Sequence, residues 1–113
     1  MENRLESSIK YEPAPGYFVV EIPSTVFEKI VNSNLKLDEK IRDAQIQTAV
    51  ETYIGEGNAL SVVAINDNTG STIKPGDQIL TRGTIKLEEF TIEDKTYFQG
   101  PTHALLGKLL SKY

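Results

Sequence analysis

The residues of this chain best placed for acid–base chemistry are two pairs of adjacent carboxylates, Glu88-Glu89 and Glu93-Asp94. Paired carboxylates can divide the roles of general acid and general base between them. Adjacent side chains on a hairpin strand, however, point to opposite faces of the sheet. The spacing therefore favours a solvated, charged strand edge over a catalytic pair.

Other residue types that commonly form reactive sites are sparse. The single histidine, His103, follows a Gly-Pro turn and has no nucleophile near it in the sequence, so we interpret it as a structural or surface residue. With no cysteine and only one histidine, neither thiolates nor a histidine pair can form a metal site. Gly55-Glu56-Gly57 is too short and too acidic to hold a phosphate, and nucleotide-binding and hydrolase motifs are missing. We predict a non-enzymatic protein without a cofactor or metal.

Composition points to one globular domain. The chain has 113 residues, a net charge of −4, 39% hydrophobic and 25% charged residues. Its 12 Lys and Arg are scattered among 16 Asp and Glu, so we expect no nucleic-acid partner. No apolar run approaches the roughly 20 residues that span a bilayer. Residues 1–13 have mixed charge and no apolar core, unlike a signal peptide. We therefore expect a soluble cytoplasmic protein.

Apolar patterns in the first half predict one strand followed by helix. Residues 1–12 are polar and are expected to form an N-terminal arm, and the Pro-Ala-Pro-Gly turn at 13–16 leads into a strand at 17–22. Apolar residues then recur at helical spacing, which predicts a helical insert over 24–50. Its clearest part is an amphipathic helix at 37–47, whose apolar face would carry Leu37, Ile41 and Ala44. Residues 46–54 also alternate with period two, so helix and strand both stay open there.

The second half is typical of short strands separated by turns. We predict strands at 60–65, 84–92 and 95–98, and within 73–80 a tight turn at Pro75-Gly76-Asp77 that leads into a short strand. Further turns are predicted at 55–58, 66–70 and 93–94, and a closing apolar segment at 104–110. Strands repeating about every ten residues indicate a sandwich or a small barrel.

Taken in order, these segments resemble the GroES-like co-chaperonin family, here in a divergent and possibly phage-encoded form. The resemblance is carried by an opening strand block and by four later blocks, and it spans residues 13–22 and 60–109. The matching blocks are PGYFVVE (15–21), SVVAI (61–65), IKPGDQIL (73–80), TIKLEEFTIEDKTYF (84–98) and HALLGKL (103–109).

The resemblance implies a mostly β fold, a small GroES-like β-barrel over residues 13–113 with the helical insert between its first and second strand blocks. It also implies a homo-oligomer that caps a chaperonin ring. Members of the family dock through the segment between those strand blocks, which would make the partner-binding residues Val26, Phe27, Ile30 and Val31. Their last strand pairs with the next subunit, which would make the oligomer contacts Leu105, Leu106 and Leu109.

One departure keeps a second hypothesis open. The docking segment of the family is a glycine-rich mobile loop, whereas here it has no glycine before Gly55 and is predicted to be helical. An ordered helix suits a structural virion protein, such as an auxiliary or decoration protein of a tailed-phage capsid built on the same barrel. The helical insert and the N-terminal arm would then bind neighbouring capsid subunits, and the protein would be located in the virion.

Overall fold

A computed structural model describes residues 10–66 and 72–110 of the chain. These residues form six β-strands, two α-helices and one short 3₁₀ turn. In chain order they are β1 (Tyr17–Glu21), α1 (Ser24–Asn32), α2 (Glu39–Gly55), β2 (Leu60–Asn66), β3 (Gln78–Thr81), β4 (Glu88–Ile92), β5 (Lys95–Pro101), the 3₁₀ turn (Thr102–Ala104) and β6 (Leu105–Lys108).

All six strands form one antiparallel sheet in the order β4-β5-β1-β2-β3-β6. The β-rich part of the prediction is confirmed, although the two helices make the domain mixed α and β. The expectation of a closed barrel is wrong, because within the described residues β4 and β6 are edge strands that do not pair with each other.

The sheet stays open because other segments cover its apolar face. Val50 of α2 and Leu87, just before β4, are both buried in the main core together with strand residues such as Phe18 and Ile79. Burial of these side chains closes the core without a β4–β6 contact. The buried members of this core are Phe18, Val20, Ile22, Val50, Leu60, Val62, Ile79, Leu87, Phe98 and Ala104.

The helix predicted over 37–47 is confirmed, and the open question at 46–54 resolves as helix. Asp38 caps α2 by accepting a hydrogen bond from the Glu39 amide at 3.0 Å. The face that packs on the core is not the predicted one, since Ile41 and Ala44 are exposed. The helix instead packs through Ile46, Val50, Tyr53 and Ile54, which also lie at helical spacing.

Two strand boundaries differ from prediction. β4 begins at Glu88 instead of residue 84, because Leu87 turns into the core and the residues before it form a turn. β5 continues through Gly100 to Pro101, since both residues pair with β1. A side chain at Gly100 would meet Leu87, which explains why a strand interior contains glycine here.

The predicted turns before β3 and after β4 are confirmed, whereas the turn predicted at 66–70 falls largely outside the described residues. The Lys74 amide donates to Asp77 Oδ2 at 3.0 Å in the turn before β3. Glu93 and Asp94 both have positive φ, 50° and 70°, as a two-residue hairpin turn requires. Residues 67–70 of this predicted turn and residues 1–9 of the predicted arm lie outside the described part. Within the arm, the Tyr11 hydroxyl donates to Gln99 Oε1 at 2.7 Å.

Candidate functional site

Exposed apolar side chains cluster in two segments of the described chain. Apart from Tyr17, the large exposed apolar residues all lie between residues 27 and 41 or between 106 and 110. Single exposed apolar residues are ordinary on a protein surface, whereas clusters mark interaction sites. We call the first group the helical surface, comprising Phe27, Leu35, Leu37 and Ile41, and the second the C-terminal edge, comprising Leu106, Leu109 and Leu110.

The four predicted partner-binding residues of α1 do not share one face. Val26 and Ile30, four residues apart, pack against the main core, and Val31 is half-buried. Phe27 points elsewhere and is 44% exposed. Among these four residues, Phe27 therefore offers the largest apolar surface to a partner.

The connection between α1 and α2 presents apolar residues that were not assigned to docking from the sequence. Leu35 is 55% exposed, Leu37 38% and Ile41 52%. The Asn34 side-chain amide donates to the Ile30 carbonyl at 2.7 Å, and the Leu37 amide donates to the Asn34 carbonyl at 3.2 Å. These bonds order the turn between α1 and α2, on which Leu35 and Leu37 are exposed to solvent. In the sequence, the only indication of this exposed surface is the Leu-Lys-Leu segment between polar residues. Helical spacing instead predicts a buried face for Leu37 and Ile41.

A groove of about 300 Å³ lies between the two helices and the sheet. Its buried floor is formed by Ile22, Val50 and Phe98, and Phe27 contributes a more exposed wall. At the rim, Lys95 Nζ lies 3.6 Å from Glu21 Oε1. The groove is large enough to accept an apolar side chain and extends the helical surface toward β5.

The C-terminal edge combines leucines with a strand that has one unpaired side. β6 pairs with β3 through Lys108 opposite Ile79 and Gly107 opposite Leu80, and no other described strand lies along its outer edge. Of the predicted oligomer contacts, Leu106 is 56% and Leu109 44% exposed, whereas Leu105 packs partly against the core. Leu110, which was not predicted, is 80% exposed.

The candidate acid–base residues lie on the surface. Pairing with β5 puts Glu88 opposite Gln99 and Glu89 opposite Phe98, so the two carboxylates alternate between the faces of the sheet. Both are exposed, and Glu89 accepts a hydrogen bond from Gln47 Nε2 at 3.3 Å. Across residues 10–66 and 72–110, no three acidic or histidine side chains meet where a metal ion could be held.

His103 is exposed in the 3₁₀ turn before β6, and its backbone carbonyl accepts a hydrogen bond from Arg82 Nε at 3.0 Å. The same arginine donates its backbone amide to the Ala104 carbonyl at 2.8 Å. These two bonds fix the start of β6 against the end of β3. The geometry therefore gives this region a structural role in presenting the C-terminal edge.

Tyr53 fixes the other end of the helical insert. Its hydroxyl donates to the Ala59 carbonyl at 2.7 Å, and Asn58 Nδ2 donates to the Tyr53 carbonyl at 3.1 Å. Desolvation by burial raises the pKa of the Tyr53 hydroxyl above its ordinary value. The residue anchors the C-terminus of α2 to the chain that enters β2.

Neither models of known protein families nor curated protein sequences give a match to this chain. In the described part of the chain, no helix has both the length and the apolar character needed to cross a bilayer.

Proposed function

We propose that this protein is a non-enzymatic, self-assembling, co-chaperonin-like protein that caps a chaperonin ring in the cytoplasm. The observation that carries the proposal is the presence of two separate apolar surfaces, one between β1 and β2 and one on the last strand. A cap needs a surface for its target and a second surface for its own copies. The resemblance of the strand blocks to GroES-like proteins places these two roles in the same two segments.

The docking contact belongs to the turn between the helices. Leu35 and Leu37 are exposed on either side of Lys36, in the segment between β1 and β2 where the family has its mobile docking loop. Fully burying one leucine contributes about 1.5–3 kcal/mol, so a single copy would bind weakly. A ring that presents the same turn from every subunit would bind far more tightly through multivalency.

The same proposal covers the fold. We infer that the open sheet is related to the GroES-like fold, with α2 and the segment around Leu87 covering the core where a barrel would close. Support comes from the order of the matching sequence blocks. The helical insert then contributes Val50 to the main core.

The second candidate is a structural virion protein, an auxiliary or decoration protein of a tailed-phage capsid. The observation in its favour is that residues 24–55 are largely helical and that Asn34 and Ser33 bond their connection back to α1. A preformed apolar surface of this kind suits a static contact with capsid subunits. The partner in both cases is a protein.

Native mass measured with and without a chaperonin and ATP tests the proposal. We expect a closed homo-oligomer that co-elutes with chaperonin only when nucleotide is present. A double variant, Leu35→Ser with Leu37→Ser, should keep the oligomer mass and lose at least tenfold in chaperonin affinity, while Lys36→Ser serves as the matched control in the same turn. A monomer that does not bind chaperonin would contradict the proposal. Binding to assembled phage capsids would then support the second candidate.

A further inference from the structure

One side of β4 is free along the edge of the sheet. Across the two-residue turn, Ile92 pairs with Lys95, and hydrogen bonding in an antiparallel ladder alternates from residue to residue. The backbone groups of Phe90 and Ile92 therefore point toward β5, whereas those of Glu89 and Thr91 point away from it. No other described strand lies along that outer side. These outward amides and carbonyls are the groups to which an added strand would bind.

A broad groove of about 1220 Å³ borders the first half of this free edge. Its walls are the start of β4, the C-terminal part of α2 and the connection from β3 to β4. Two buried apolar side chains, Leu87 and Phe98, lie in the groove, and the half-buried Ile54 and Ile85 line it as well. Since side chains alternate between the faces of a strand, every second side chain of a segment added to β4 would face this apolar lining.

The helix α2 is bonded to β4 beside the groove. Gln47 Nε2 donates to Glu89 Oε1 at 3.3 Å and to Glu51 Oε2 at 3.0 Å. Both glutamates line the groove, which is therefore preformed between a helix and a free strand. In strand addition of this kind, main-chain hydrogen bonds supply affinity, and the contacts of alternate side chains supply specificity.

The charges at the two ends of β4 have opposite sign. The turn at 93–94, beyond the C-terminal end, is acidic, and the following Lys95 is engaged 3.6 Å from Glu21 Oε1. Before the N-terminal end, the exposed Lys86 and Arg82 line the groove. An antiparallel segment would begin beside the acidic turn and end beside the two bases, whereas a parallel segment would reverse these contacts. Charge complementarity thus selects an antiparallel segment with a basic start and a carboxylate at its end.

We propose that the free edge of β4 binds the extended C-terminal segment of a partner protein by antiparallel strand addition. The segment has a basic residue at its start, apolar residues at alternate positions, and a free terminal carboxylate next to Lys86 and Arg82. This surface is separate from the helical surface and from the C-terminal edge. The inference goes beyond the proposed function and depends on neither of its two contacts.

A synthetic peptide of this chemistry, Lys-Val-Thr-Val-Thr-Val with a fluorescent label at its N-terminus, tests the proposal by anisotropy with the full chain. The free acid should bind, and the peptide with an amidated C-terminus should bind at least fivefold more weakly. Lys86→Glu should abolish this preference for the free acid. Lys40→Glu makes the same change in net charge at an exposed position of α2 and should leave the preference intact.

Backbone methylation of the peptide tests the strand pairing itself. In an added strand, alternate amides donate to β4, while the amides between them face away from it. Peptides N-methylated at one alternate set of residues should therefore lose binding at least tenfold, and peptides methylated at the other set should lose little. Equal effects of the two sets would contradict strand addition.

Three further results would overturn the proposal. The first is that none of these peptides binds, and the second is that binding is insensitive both to amidation and to Lys86→Glu. The third is that the peptide converts an oligomer to monomer in native mass measurements, because a second copy of the chain would then be the occupant of the edge. Co-elution with chaperonin is measured separately, so the proposed function can fail while the peptide still binds, and the reverse.

Discussion

Gly100 shows how tightly the core is packed around a single position. A Cβ atom there would lie 2.5 Å from Leu87 Cδ2 and 3.3 Å from Phe18 Cζ, which is closer than side chains tolerate. We expect Gly100→Ala to lower the free energy of unfolding by about 1–3 kcal/mol in urea denaturation, the usual cost of overpacking. Gly107→Ala is the control, because nothing lies within 4 Å of its Cβ position, and it should change stability little. Equal losses of unfolding free energy in the two variants would contradict a steric overlap specific to Gly100.

Tyr53 gives a pH-dependent signature at the residue scale. Because burial raises the pKa of its hydroxyl in the folded state, the unfolded state ionises first, and stability from this group is lost as pH rises above the ordinary tyrosine value of 10.0. Tyr53→Phe should cost about 1 kcal/mol near neutral pH by removing the bond to the Ala59 carbonyl.

The difference in unfolding free energy between wild type and Tyr53→Phe should then shrink as the pH rises from about 10 to about 12. Urea unfolding of both proteins across that range measures it, and the other tyrosines, common to both proteins, cancel in the comparison. A stability difference that stays constant to high pH would mean that the Tyr53 hydroxyl is no harder to ionise in the folded state than in the unfolded state.

At the scale of elements, α2 packs against the sheet through the buried Val50 and through half-buried apolar neighbours on the same face of the helix. Val50→Ala removes buried methyl groups that cover the sheet and should cost about 1–2 kcal/mol. Thr48→Ala replaces another β-branched residue of the same helix at an exposed position, and it should be neutral or slightly stabilising because alanine favours helix. Hydrogen exchange should also show the protection of residues 39–55 falling in Val50→Ala alone. Weak hydrogen-exchange protection of α2 in the wild type would contradict the packing of this helix against the sheet.

At the scale of the whole molecule, the exposed leucines of the C-terminal edge should control self-association. Replacing Leu106 and Leu109 with serine removes apolar surface that the proposed oligomer would bury and should shift the native mass toward monomer, with dissociation at least tenfold more favourable. The control, Leu35→Ser with Leu37→Ser, removes two exposed leucines from the helical surface and should leave the oligomer intact. Equal loss of native mass in both variants would indicate that total exposed apolar surface, and not the C-terminal edge, drives assembly.

The sequence by itself determined the local elements. Strands at 17–22 and 60–65, the turn at Pro75-Gly76 and the two-residue hairpin at Glu93-Asp94 depend on side-chain type within a few residues. The helix at 37–47 was predictable for the same reason. The exposure of Leu106 and Leu109 was foreseen only through a resemblance, and their role as contacts is still a prediction.

Only the tertiary structure decided which surfaces are free. The helical pattern allowed two faces of α2, and packing against the sheet selected the one with Ile46 and Val50, which left Ile41 exposed. Likewise, no local pattern shows that Leu87 turns inward, so that β4 begins only at Glu88 and the sheet stays open. These outcomes depend on burial of apolar surface between segments distant in sequence, a long-range energy that no short window of residues contains.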